Sequence, residues 1–155
     1  MTRTFAILVL ISHSLACAGA PPGYLLPDDH EAYQQAASLR YDWQTRDDLP
    51  ECRQSWQRLE IRIVPADEWT DTLGGRPCGE YEPPCTQGLA VRWVGTPIIF
   101  LASDEAPIHV VRHEMAHLMA SCSGSRDPDH ENPAIWNQPD GVVWMYETNV
   151  TQPNL

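Results

Sequence analysis

"SDEAPIHVVRHEMAHLMASCSG", residues 103–124, decides how the chain folds. Ser103 or Asp104 fits a helix cap, Glu105 and Pro107 fit a first turn, and Gly124 fits an end. At about 100° per residue, Ile108, Val111, Met115, Leu118 and Met119 fall on one stripe. His113 and His117 fall on the opposite side, about 40° apart. The stretch therefore predicts a helix that buries its stripe on a sheet and turns two imidazoles toward a cleft.

Histidines at i and i+4 stand one above the other, so their nitrogens can converge on one cation without distorting the backbone. Imidazole is a good zinc ligand. Glu114 leaves the helix at a different angle from His113. It is poorly placed to share the inner shell and well placed to touch a metal-activated water, whose pKa zinc lowers to about 7. In that arrangement Glu114 is the general base and passes the proton on to a leaving amine.

A catalytic zinc takes three protein ligands and keeps one position open. The helix supplies two, so the third comes from beyond it. Asp127, Asp129, His130, Glu131 and Glu147 are the candidates. Asp127 or Asp129 could fix the ring of His130 from behind. "DPDHEN" has the oxygen density of a calcium loop but lacks the glycine its turn requires. His109, one turn before His113, is expected to be exposed near the cleft.

Outward from the helix, the preceding sequence reads as strands. In "RLEIRIVPADEW" Leu59, Ile61 and Ile63 alternate with Glu60, Arg62 and Val64. "LAVRWV" and "PIIFLA" read as two more strands with a turn at "GT". The second is apolar throughout, as a central strand covered on both faces would be. "DDHEAYQQAASLRYDWQ" has helical composition, with Asp28 or Asp29 as its cap. "PPGYLLPDD" reads as a short tether, and "GGRPCGEYEPPCTQG" as loop. The expected class is α+β, a small mixed sheet packed on the histidine-bearing helix.

The 155 residues suffice for one domain with a real core, and the formal charge of -11 disfavours nucleic acid as a partner. "MTRTFAILVLISHSLACAGAPPG" reads as an export signal, with Arg3 before a short apolar core and small residues after it. "SLAC" resembles a bacterial lipobox with Cys17 as the lipidated residue, although Leu15 stands one place closer to the cysteine than usual. "ACA" before Gly19 fits ordinary signal cleavage instead. The expected division is a signal over 1–18, a tether over 19–27 and the domain over 28–155. The location is then the cell envelope through lipidated Cys17, or otherwise the periplasm or exterior.

Beyond Cys17 four cysteines remain, Cys52, Cys78, Cys85 and Cys122. An even number in an exported chain predicts two disulfides, with three pairings open. A local bridge from Cys78 to Cys85 would leave Cys52 with Cys122. Tyr146, a candidate to stabilise an oxyanion, is more simply read as a packed tyrosine. Asn149 opens a sequon relevant only to a eukaryotic secretory route.

"HEMAHLM", with an apolar strand before it and a histidine after it, resembles the zincin metallopeptidases. It departs from the metzincin pattern, since Ala120 and Ser123 occupy the glycine and third-histidine positions. It is more similar to the compact HExxH…H proteins, such as the SprT-like peptidases and zinc-site lipoproteins of bacteria, in which an aromatic residue follows the last histidine, as in "HENPAIW". The resemblance covers about Pro97 to Trp136. It implies a zincin-like fold, zinc held by His113, His117 and His130, Glu114 as base, and a peptide or protein as substrate. A non-catalytic envelope lipoprotein or binding module that keeps the zinc site is the alternative. The substrate's identity and the oligomeric state are not legible in the sequence.

Overall fold

The computed structural model describes residues 19–74, 86–103, 108–125, 130–136 and 140–143. Expectations for Cys17, Cys78, Cys85, Asp104, Glu105, Pro107, Asp127, Asp129, Tyr146, Glu147 and Asn149 lie outside them. In chain order the elements are β1 (Tyr24–Leu25), α1 (Glu31–Gln44), β2 (Glu60–Ile63), α2 (Ala66–Thr72), β3 (Gly88–Trp93), β4 (Thr96–Leu101), α3 (Ile108–Cys122) and α4 (Pro133–Trp136). This is the expected α+β class.

The four strands form one mixed sheet in the order β1-β2-β4-β3. β2 and β4 are parallel, and the outer strands β1 and β3 run antiparallel to their neighbours. The period-2 pattern sorts the side chains onto two faces. Ile61 and Ile63 of β2 join Ile99 and Leu101 of β4 beneath α1 and α3 on the front face. Val64, Ile98 and Phe100 face the back, where Trp69 of α2 packs with Leu89, Val91 and Trp93 of β3. β4 is thus covered on both sides, and Ile98 to Leu101 are all buried.

α1 presents Ala32, Ala36, Leu39 and Trp43 to the core at spacings of four, three and four. That is the period of a helix with one buried stripe. Its cap is neither Asp28 nor Asp29. His30 is the N-cap, and its Nδ1 accepts from the Ala32 amide at 3.2 Å. The β3–β4 turn also differs from expectation. Trp93 pairs with Thr96, so the two-residue turn is Val94–Gly95, one place earlier than "GT". Both turn residues have positive φ, 50° and 86°, as a type I′ hairpin requires.

Two further elements differ from the sequence reading. α2 forms directly after Pro65, with Asp67 and Glu68 in its first turn to complement the helix dipole. Residues 19–27, expected as a tether, are fastened to the sheet. Tyr24 and Leu25 pair with β2, and the Arg62 guanidinium donates to the carbonyls of Pro22 at 2.8 Å and Gly23 at 2.7 Å. Gly23 has a φ of 70°, and a Cβ there would lie 2.0 Å from the Ile63 oxygen. Only glycine allows so close an approach.

Candidate metal centre

α3 is enclosed more completely than its apolar stripe suggested. Val111, Met115, Leu118 and Met119 are buried as expected, and so are Val110, Arg112, Glu114, Ala116 and Ala120. Arg112 explains how a charge is accommodated there. Its guanidinium donates to Asp42 Oδ2 at 2.9 Å and Ser38 Oγ at 3.1 Å, both on α1, and reaches the Val142 carbonyl at 3.5 Å. The ion pair therefore joins α3 to α1 and to the segment behind α4. At the other end of α3, a disulfide joins Cys122 to Cys52, in the stretch after α1.

On this fixed helix His113 and His117 point the same way, and their Nε2 atoms lie 3.2 Å apart. His130 arrives from the chain beyond Gly124. Its Nε2 lies 3.2 Å from that of His113 and 3.1 Å from that of His117. Its φ of 58° is in the left-handed region, uncommon for a non-glycine residue. The Trp136 ring, on α4, lies against all three imidazoles, with centroids 5.0, 4.8 and 4.4 Å away.

The three nitrogens form a nearly equilateral triangle. Three tetrahedral ligands at about 2.0–2.1 Å from a zinc ion stand about 3.3 Å from one another, so the spacing fits that ion. The donor chemistry agrees. A neutral imidazole nitrogen carries either a hydrogen or a lone pair, and three Nε2 atoms aimed at one point cannot all satisfy each other. A shared cation accepts all three lone pairs. His113 is held well below its ordinary pKa, at about 4, first by burial and then by the neighbouring His117, His130 and His109. It is therefore neutral at pH 7, the form a ligand requires. Among the described residues, these three form the group of side chains able to hold a metal ion. Asp127, Asp129 and Glu147 lie outside the described residues, and neighbouring Glu131 is not part of the group.

Glu114 follows His113 on α3 and is only 7% exposed. Burial pushes its carboxyl pKa up to about 7, opposed by a hydrogen bond with the Ala90 backbone. It faces a cleft of about 430 Å³ lined by Thr86, Gln87, Gly88, His109, Val110 and His113. His109 is exposed, as expected, and also forms part of the cleft wall.

Three contributors escaped the sequence reading. Gly88 sits where a Cβ would meet Glu114 Cγ and Val110 Cγ1, each at 2.8 Å, so β3 closes on the carboxylate only because that side chain is missing. A lone glycine opening a strand is the signal that points to it. Trp136 was visible only as an aromatic residue following His130. Arg112 had no visible partner, because Asp42 lies 70 residues upstream.

No protein-family model, curated protein or solved structure matches the chain. The fold is α+β, and the chemistry open to the site follows from its own geometry.

Proposed function

We propose that the chain is an exported, zinc-dependent peptidase of the zincin kind, with His113, His117 and His130 as metal ligands and Glu114 as general base. The observation that carries this reading is the convergence of three Nε2 atoms within 3.1–3.2 Å, one of them on His113, which lines the same cleft as the buried Glu114 carboxyl. A zinc ion bound there would supply Lewis-acid polarisation of a water molecule and of the scissile carbonyl.

The remaining steps belong to the chain's own residues. A carboxyl with a pKa near 7 is matched to proton transfer at neutral pH, so Glu114 can take a proton from the attacking water and return it to the leaving amine. Gly88 leaves room for that carboxyl beside the strand. Among the described residues, no strand pairs with the outer edge of β3. An extended peptide added to that edge would run toward Gly88 and the cleft, held by main-chain hydrogen bonds whatever its sequence.

The test is digestion of a peptide library by the zinc-loaded chain. Cleavage should fall by about a hundredfold or more in Glu114→Gln, the order expected on losing a general base, with about one zinc per chain retained. Zinc binding without cleavage by the unaltered chain would favour a non-catalytic envelope module that keeps the site.

A further inference from the structure

Opposite the cleft, the β3–β4 hairpin ends in an exposed apolar tip. Val94 is 78% exposed, and its φ of 50° is one a β-branched residue adopts only under strain. Asparagine or aspartate is the usual occupant of that turn position. The chain thus carries an apolar side chain in water where a polar one would fit the turn better. The accessible part of the hairpin, Arg92 to Thr96, contains no carboxylate, although the whole sequence has 21 acidic residues.

The N-terminal stretch is fastened to this same tip. The Trp93 indole donates to the Gly19 carbonyl at 3.1 Å. Residues 20–23 cross the back face from there to β1, held by Arg62 and by Glu68, whose Oε1 accepts from the Gly23 amide at 2.9 Å. Only Ala18 separates Gly19 from Cys17. Two residues reach about 7 Å at most.

We propose that the hairpin tip, Trp93 to Gly95, is the surface by which the domain lies on a phospholipid bilayer, an inference that rests on the reading of Cys17 as the lipidated residue. An acyl anchor at Cys17 would bring the tip to the headgroup layer, where the exposed Val94 can enter and the solvent-facing part of Trp93, otherwise packed on the back-face core, suits the interface. The proposal also fixes an orientation. Gly88 and the cleft are at the other end of β3, about 17 Å away at the usual rise per residue. Glu114 approaches the sheet from the front, whereas residues 20–23 cross its back. The cleft therefore stands clear of the lipid and opens to substrates from the aqueous side.

The experiment uses the full-length lipidated chain on vesicles of phosphatidylcholine and phosphatidylglycerol. A fluorophore is attached through Val94→Cys or, as the control, through Tyr41→Cys on α1. Brominated lipids should remove about half the emission at position 94 and leave position 41 unaffected, as for a group at the membrane interface. Amide exchange of the unsubstituted chain provides a second readout, with residues 92–96 slowed on vesicles. Vesicle flotation without quenching or slowed exchange at the tip would overturn the orientation while leaving the lipid anchor intact. Failure to float would remove the anchor and the proposal together.

Discussion

His113 and His117 come to the candidate metal centre by a different route from His130. The first two stand one turn apart on a helix buried on nearly every other side, so ordinary helical geometry aligns them. His130 is exposed, lies on a connecting segment, and holds a left-handed backbone conformation. Its ring lies against Trp136, and the chain that leads to it leaves α3 just after Cys122, which is bridged to Cys52. Two candidate ligands are thus set by local structure, and the third depends on contacts distant in sequence. The helix pair forms with the fold. The complete triangle forms only when the loop arm is also in place.

The largest expected effects come from removing ligands. His117→Ala and His130→Ala should each weaken zinc binding by about a thousandfold or more, beyond the ten- to hundredfold typical of outer-sphere partners. Competition titration with a chelating dye measures both. Near-native affinity in His130→Ala would break the comparison, leaving the helix pair with some other third ligand.

The disulfide comes next. Replacing Cys52 and Cys122 together with serine opens a loop spanning 70 residues and should reduce stability by about 4 kcal/mol on loop-entropy grounds. Urea denaturation of the metal-free chain gives that number. The same variant should bind zinc more weakly, because the bridge anchors the helix end from which the chain leaves for His130. A stability loss with unchanged zinc affinity would mean that the loop arm does not depend on the bridge.

A smaller effect sharpens the helix side. The folded pKa of Glu114 is raised from 4.5 to about 7 by burial. Its contribution to stability is therefore fully present below pH 4.5 and is lost as pH rises through about 7. The loss is on the order of 3 kcal/mol, because each pH unit between the unfolded and folded pKa is worth about 1.4 kcal/mol. In metal-free protein Glu114→Gln should gain on the parent chain across that window and hold its advantage above it. Comparing the two chains at each pH cancels the opposite slope from His113, whose folded pKa is depressed to about 4. A stability difference that does not change with pH would place the carboxyl in solvent.

What the sequence revealed follows the same division between local and distant. The alternation at Ile61 and Ile63, the apolar β4 and the stripe of α3 are local patterns, and each element formed where its pattern lay. Convergence of His113 and His117 was implied by their spacing alone. His130 needed a choice among several oxygen and nitrogen donors, because a loop has no periodicity to direct a side chain. Arg112 on Asp42 and Tyr24–Leu25 on β2 are contacts between segments far apart in sequence, and no local signal announces such pairs; Gly88 is marked only as a lone glycine opening a strand, which does not name Glu114 as its neighbour. The His30 cap and the Val94–Gly95 turn were displaced by one or two residues because several neighbouring residues had competing turn and cap preferences.

The most direct measurement on the metal centre is X-ray absorption at the zinc edge of the fully loaded chain. Three imidazoles and one light oxygen or nitrogen ligand are expected, all at about 2.0–2.1 Å, with the multiple-scattering pattern of histidine rings. Glu114→Gln should leave that spectrum unchanged, since the proposed role of the carboxyl is that of a base and not a ligand. Sulfur at about 2.3 Å, or fewer than three imidazoles, would contradict the assignment of His113, His117 and His130.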